Sequence, residues 1–417
     1  MSDRAAFVLL ASLAFSFLAS ASAPTPLYGV YQREWHYSPT TTTLVFAVYA
    51  ASVLGALLTV GRLSDHIGRR PVLMTALGIQ AVALALFLGA HSVPVLMAAR
   101  FVQGMSTGAA LGALGAGLLD LSKKHGATAG AVAPLLGTGV GAVVAGAFVE
   151  YLPAPRQTIY AVWFAVFAVQ AVGVALAPET VTRAPGALAS LRPRFALPPA
   201  ARGPLRAAAP AMLASWSIAG FYASLGPALV RRITGSDNHV FGGAALFVLA
   251  GSAALAVLAL RYASPQQLML IGVVALFAGV GLTLLAGDVS ANGFWLAAVV
   301  AGVGFGAAFQ GALRSVAMTV GAHERAGVIS VLFVVSYVGF GVPAILAGIA
   351  VSHTGDIMAT AREYGVAVMV LSAVALVALK RTIRTSPAAL PIPVQATAAD
   401  RRAAVAGVAE RPAQHAI

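Results

Sequence analysis

The chain contains no cysteine in its 417 residues, so neither disulfides nor thiol chemistry enter its structure or activity. Charge is scarce: Asp, Glu, Lys and Arg make up 9% of the residues, against about 25% in soluble domains. A soluble fold of this length would need far more polar surface. Carboxylates are missing from the middle of every long apolar segment. Glu34, Glu150, Asp288 and Asp356 fall near one set of segment ends, and Asp65, Asp120, Glu179 and Glu324 near the other. No H-x-x-x-H pair and no Gly-Lys-Ser/Thr phosphate loop occurs, which argues against a membrane metalloenzyme and against ATP-driven transport within this chain. The longest loop, about thirty residues, is too short for the output domain of a receptor.

What is abundant is apolar sequence, 59% of the chain. The long runs lack the strict alternation of a barrel strand, so they read as membrane helices. Windows of about 20 residues give twelve segments near 6–23, 40–60, 71–91, 93–117, 127–149, 157–177, 208–229, 240–260, 267–287, 293–316, 327–350 and 364–380. The expected fold class is an all-α polytopic membrane protein. Its parts are an N-terminal six-helix bundle (1–177), a cytoplasmic linker (178–207), a C-terminal six-helix bundle (208–380) and a disordered cytoplasmic tail (381–417). The linker, with five Arg and several Pro, reads as extended, with a surface helix as the alternative for part of it.

Placing the N-terminus in the cytoplasm puts twenty Lys and Arg in inner segments against five in outer ones, with Arg100 left inside a span. This bias sets both termini inside, and it explains the net charge of +13 without nucleic acid. The first span ends in Ala21-Ser22-Ala23, the pattern of a signal-peptide cleavage site. Pro24 at the following position and the loss of a six-plus-six count argue against cleavage.

The halves echo each other. Gly104-x-x-x-Gly108-Ala109-Ala110 in the fourth span matches Gly302-x-x-x-Gly306-Ala307-Ala308 in the tenth, and Gly139-x-Gly141 in the fifth matches Gly339-x-Gly341 in the eleventh. Such correspondence suggests a duplicated six-helix unit.

The charged turn Gly61-Arg62-Leu63-Ser64-Asp65-His66-Ile67-Gly68-Arg69-Arg70 joins the second and third spans. Gly61 and Gly68 permit a tight reversal. Asp65 and Arg69, four residues apart, can pair on one helical turn, and Asp120 ends the fourth span within reach of Arg69 or Arg70. Asp65 can also face the positive N-terminal end of the eleventh span near Arg325. The reading is a gate latch at the inner mouth; its rival is a charged loop that holds topology only. In the fourth span Arg100, Gln103 and Thr107 share a face. A central Arg costs roughly 2.5–3.5 kcal/mol on insertion scales and needs a partner or a wet cavity. The rival reading ties it to backbone carbonyls of a neighbouring helix. Gly137, Gly141 and Gly146 in the fifth span suit close helix packing. Tyr49, Ser52, Thr107, Trp216, Tyr222, Gln310 and Tyr337 are candidates for a mainly apolar substrate cavity, beside serine stripes such as Ser12, Ser16 and Ser20. The absence of a buried acid favours neutral or anionic solutes. Glu34, Glu150 and Asp288 are candidate proton carriers.

The spacing G-x-L-S-D-x-x-G-R-R-P at 61–71 resembles the loop signature of the major facilitator superfamily. R-x-x-Q-G-x-x-x-G-A-A from Arg100 resembles that family's fourth-span motif, in which the Arg assists proton movement. The fifth-span glycines resemble its antiporter motif, although Ala142 and Ala145 replace a Pro and a Gly. Arg261-Tyr262-Ala263-Ser264-Pro265 has lost most of the second charged signature. The resemblance implies two six-helix bundles around a central cavity, rocking between inward- and outward-open states. It further implies proton-coupled efflux of a drug-like or metabolite compound. The alternatives are a proton-symport importer of a sugar or organic acid and, more remotely, a membrane-embedded enzyme or receptor. The expected partners are a small-molecule substrate, protons and the lipid bilayer. No cofactor beyond a proton gradient is expected, the unit is a monomer, and the location is a bacterial inner membrane.

Overall fold

The structure, a computed structural model, describes residues 1–193, 195, 197–286 and 290–385. Asp288, Arg194 and the tail from 386 onward lie outside the described residues. The described residues form helices only: α1 (Asp3–Ser22), α2 (Pro24–Trp35), α3 (Pro39–Thr59), α4 (Ser64–Ile67), α5 (Arg69–Leu88), α6 (Val93–Leu121), α7 (Gly126–Tyr151), α8 (Pro155–Leu176), α9 (Ala187–Ser190), α10 (Pro199–Ser224), α11 (Gly226–Thr234), α12 (His239–Ala259), α13 (Pro265–Ala286), α14 (Ala291–Ala317), α15 (Ala322–Thr354) and α16 (Ile357–Thr385).

Ten of these stretches are long and apolar enough to cross a membrane, with α1 and α2 counted together, and the bent pair α10–α11 makes an eleventh. The twelfth is α6, 29 residues long, whose Arg100, Gln103, Ser106 and Thr107 dilute its hydropathy. Two spans are broken. Between α1 and α2 the chain meets Pro24, which has no N–H for the carbonyl of Ser20. Between α10 and α11 the axis turns by 69°, with Pro227 in the first turn of α11. Both breaks extend a span beyond its sequence-read end. Residues 24–35, read as an outer loop, are helical, and α10 starts at Pro199, inside the expected linker. Helix α16 likewise runs to Thr385, past the expected start of the tail.

The remaining linker carries one short helix, α9, and is tied to the charged turn. The Ala184 N–H donates to His66 O at 2.9 Å, His66 Nδ1 lies 3.0 Å from Pro185 O, and Arg62 donates to the carbonyls of Ser190 and Arg192. Short helix α9 thereby packs beside α4.

Glycine sets the closest helix crossings. In α6, Gly104, Gly108 and Gly112 lie against the backbone of α3 and the turn that follows it. A Cβ on Gly108 would stand 2.5 Å from Val53 O. In α14, Gly302 and Gly306 lie the same way on α12, where a Cβ on Gly306 would stand 2.5 Å from Ala253 O. The first echo is thus one packing solution used twice. Apolar helices gain little from hydrophobic burial inside lipid, so close van der Waals approach is what binds them. The second echo does not keep its register. Gly141 faces Ala19 of α1 and Gly139 faces Phe247 of α12, whereas Gly339 faces Leu213 of α10 and Gly341 faces Ala50 of α3.

The two halves meet along α3–α15 and α7–α12. Phe46 and Ala142 of the first half are buried in the core of the second, and Phe46 packs on Phe340 with ring centroids 4.7 Å apart. Of the fifth-span glycines, Gly137 and Gly141 press on Phe15 and Ala19 of α1, while Gly146 presses on His239 at the seam between the halves.

Candidate functional site

Three polar constellations stand out: a charged cluster at the basic end, a buried arginine, and the seam at the opposite end. At the basic end Gly68 has φ = +103°, a conformation that disfavours any residue with a Cβ, and a Cβ there would strike the Glu179 carboxylate. Gly68 has no side chain to cap α5, and Glu179 supplies the cap from 110 residues away. Its Oε1 accepts from Arg69 N at 2.8 Å and its Oε2 from Arg70 N at 3.0 Å. An anion at a helix N-terminus is favoured by the dipole as well as by the two orphan donors. The Arg69 side chain, 11% exposed, donates from Nε to Asp120 Oδ2 at 3.1 Å and from NH1 to Ser64 Oγ at 2.8 Å, and it pairs with Asp65. Thr180 Oγ1 donates to the same Asp120 oxygen at 3.2 Å.

The expected Asp65–Arg69 and Asp120–Arg69 pairs therefore form. The first forms across the break at Gly68, not along one continuous helical turn. Arg70 contributes its backbone N–H. Each of these partners lies in the first half or at the start of the linker that follows it. The expected approach of Asp65 to the start of α15 is not among its contacts in the described residues. The sequence presents Glu179 only as one of the carboxylates near a segment end; its capping role depends on a contact that spacing does not reveal.

Arg100 is 1% exposed. Its NH1 donates to Ala21 O at 2.8 Å and to Gln103 Oε1 at 2.7 Å. Gln103 Nε2 donates to Ser20 O at 3.1 Å, the carbonyl deprived of a donor by Pro24. The backbone-tied reading of Arg100 thus describes its contacts. It leaves two features unexplained. Arg100 forms no ion pair among the described residues, and its buried Nε has no hydrogen-bond partner. Its Cζ lies 4.3 Å from the centroid of the Tyr49 ring, within cation–π range.

Tyr49 continues into the centre of the fold, where Tyr337 packs against it. Trp216 stands 5.2 Å from Tyr337, 5.2 Å from Phe309 and 5.4 Å from Phe340 between ring centroids. Tyr49, Trp216 and Tyr337 thus come together in one aromatic cluster, joined by Phe309 and Phe340, which pattern alone did not single out. The other candidates do not join them. Ser52 donates to Tyr49 O of its own helix at 3.0 Å and fills the notch at Gly104. Thr107 donates to Gln103 O at 2.9 Å and is fully buried. Tyr222 stacks on Phe294 in the core of the second half. The side-chain amide of Gln310 lies against the Arg314 guanidinium, toward the basic end. The serine stripes are structural too: Gln170 donates to Ser12 and Ser16, and Gln80 to Ser20.

At the opposite end the seam is closed by polar contacts between halves. Thr40 Oγ1 donates to Ser352 Oγ at 2.7 Å, and Thr25 Oγ1 to Ala223 O at 3.0 Å. Glu150 Oε2 accepts from the backbone N–H of His239 at 3.1 Å and lies 3.1 Å from its Nδ1. Of the candidate proton carriers, Glu150 is engaged there and Glu34 pairs with Arg156 at 2.7 Å.

The family model described as Major Facilitator Superfamily matches residues 9–344. A protein of Rickettsia bellii described as an uncharacterized transporter is 40% identical over 74 residues, covering 17% of this chain and 18% of that protein. Multidrug resistance protein MdtL of Klebsiella pneumoniae is 37% identical over 65 residues, covering 16% of this chain and 17% of that protein. The chain therefore aligns with less than a fifth of the length of either relative. Among solved structures, a bacterial homologue of the human lysosomal transporter Spinster, in an inward-facing and unoccupied conformation, superposes with a TM-score of 0.69. Identity is 13%, over 92% of this chain and 98% of that one, a likeness of fold.

Proposed function

The chain belongs to the major facilitator superfamily, and from that premise we propose that it exports a drug-like or metabolite compound in exchange for protons by alternating access. Family membership makes it an integral membrane transporter of a small solute and not an enzyme. The direction and the coupling are the proposal. The observation that carries it is the seam. Two six-helix halves, each with its own packed core, touch along α3–α15 and α7–α12. Polar ties close one end, and the charged cluster sits at the other. Rocking about such a seam exchanges the closed end.

The twenty-to-five distribution of Lys and Arg supports a cytoplasmic basic end with both termini inside, and the bacterial relatives support an inner membrane. The stretch shared with MdtL, a multidrug resistance protein, supports efflux. In this reading Asp65, Arg69, Asp120 and Glu179 hold the first half rigid at the inner mouth. Arg100, Gln103 and Gly104 couple proton movement to rocking, and Tyr49, Trp216 and Tyr337 line the solute path.

The test is flux in reconstituted vesicles across a panel of drug-like and metabolite solutes. Uptake into inside-out vesicles driven by an acidic lumen, and abolished by a protonophore, is the expected result. Uptake into right-side-out vesicles driven by an inward proton gradient would instead identify an importer. Absence of proton dependence would remove the coupling.

A further inference from the structure

The end of the seam opposite the basic loops holds an imidazole between an acid and a base. His239 begins α12 in the second half. Its Nδ1 and its backbone N–H each lie 3.1 Å from Glu150 Oε2 of α7, and its Nε2 lies 3.1 Å from Arg33 NH2 of α2. Glu150 and Arg33 belong to the first half, so this relay joins the halves. The other acid–base pairs between described residues, Asp65–Arg69, Asp120–Arg69 and Glu34–Arg156, do not cross the seam.

The partners fix the tautomer. A guanidinium only donates, so Nε2 accepts from Arg33, and the ring proton sits on Nδ1, where it is donated to Glu150. Held in this way, His239 is neutral. A proton added to Nε2 would set two donors of like charge against each other. The Arg33 contact would break, while the Glu150 contact would gain the strength of an ion pair. Imidazole is the side chain whose charge ordinarily changes between about pH 5 and 8, and this one, 20% exposed, is open to water at its end of the seam. Few other charges face it. Of the helices packed on α12, α7 brings Glu150 alone. Helix α2 brings Arg33 and Glu34, the latter paired with Arg156, and α11 brings Arg231 and Arg232. Arg231 and Asp237, of opposite sign, line a cavity of about 80 Å³ with His239. The charges of α10 and α14, Arg202, Arg206 and Arg314, lie toward the basic end. Helix α2 is the part that loss of the Arg33 contact frees. It joins α1 through the break at Pro24, its start is tied to the second half by Thr25, and Arg33 is the tie near its far end.

We propose that His239 binds the coupling proton, and that its protonation opens this end of the seam by releasing Arg33. The proton comes from water at that end, the Nε2 lone pair takes it, and the hydrogen bond from Arg33 breaks with the guanidinium unchanged. Reclosure returns the proton to water, since Arg33 regains Nε2 as an acceptor only when the proton has left. The open form therefore binds the proton more tightly than the closed form, and by linkage acid favours opening. Arg100 cannot be the group that gains and loses this proton, because a guanidinium stays protonated. The proposal rests on the proton-coupled transporter reading and names its proton site.

The test is the distance across this end of the seam, read by double electron–electron resonance between nitroxide labels on Gln32→Cys and Arg232→Cys. The full chain is held in lipid nanodiscs and taken from about pH 8 to about pH 5. A longer-distance population should grow on acidification. Its ratio to the shorter one should rise by no more than about tenfold per pH unit, the limit for one proton. His239→Gln, whose amide oxygen can still accept from Arg33, should stay closed throughout. Arg33→Gln should also lose the response, because an amide donates to the neutral ring and accepts from the charged one. His36→Asn, at an exposed histidine of the same end, should keep it. In vesicles, His239→Gln should lose proton-driven flux. A pH-independent distance in the labelled protein, an undiminished response in His239→Gln or Arg33→Gln, or full proton-driven flux in His239→Gln would overturn the proposal. Proton-driven flux with no change in distance would overturn this site alone and leave the transporter reading standing. Acid opening that His239→Gln abolishes, in a protein that moves no solute, would support the site and overturn the transporter reading instead.

Discussion

Gln103 Nε2 lies 3.1 Å from the carbonyl oxygen of Ser20 and replaces the donor that Pro24 removes from the first span. Arg100 completes the same repair one residue further, at Ala21 O. The fourth-span motif is therefore a splice for a broken helix as well as a buried charge, and the two roles separate by substitution.

Arg100→Lys retains a cationic donor for Ala21 O, whereas Arg100→Ala leaves that carbonyl without it and opens a cavity. Loss of about 2–5 kcal/mol of stability is expected for the alanine and a smaller loss for the lysine, read as thermal unfolding of the purified protein. Coupled flux should fall in both. Full flux in Arg100→Lys would assign the residue to the splice alone.

Asp65→Asn keeps a hydrogen-bond acceptor for Arg69 but discards the charge. The protein should insert and unfold much as the wild type does, because exposed ion pairs contribute about 0–1 kcal/mol. Transport should drop severalfold. Unchanged flux would reduce the cluster to a topology signal.

Glu179→Ala removes the cap from α5. A loss near 1 kcal/mol is expected, as for other N-cap deletions, seen as a lower unfolding temperature and as faster hydrogen exchange at Arg69 and Arg70. Glu179→Gln, which can still accept from both amides, should recover most of it. Equal losses in the two variants would mean that capping is not what Glu179 does.

Gly108→Leu and Gly306→Leu should both cripple folding, since each drives a side chain into the backbone of the partner helix. Gly55→Ala and Gly115→Ala should be tolerated, because neither methyl meets anything within 4 Å. Expression and monodispersity in detergent measure all four. Tolerance at Gly306 with failure at Gly108 would break the equivalence of the two crossings.

A chain with no cysteine is a clean background for crosslinking. Thr40→Cys combined with Ser352→Cys replaces a 2.7 Å hydrogen bond between the halves with a candidate disulfide. Oxidation should stop transport and reduction restore it. Undiminished flux in the oxidised form would mean that this end of the seam need not open.

Membrane residence, helical class, twelve spans and the charged hairpin were legible from composition and order alone. Each is a local property: hydropathy per residue, the run of about twenty that spans a bilayer, the cost of charge in hydrocarbon. The Gly104–Gly108 and Gly302–Gly306 echo was legible too, since a small side chain at helical spacing announces a close crossing. Tertiary structure alone decided which polar side chains face each other. Ser52 and Thr107 fold back onto their own helices, Gln170 and Gln80 claim the serine stripes, and Glu179 reaches the start of α5 across 110 residues. Hydrogen-bond partnership depends on distance and direction in space, and neither is written in spacing along the chain.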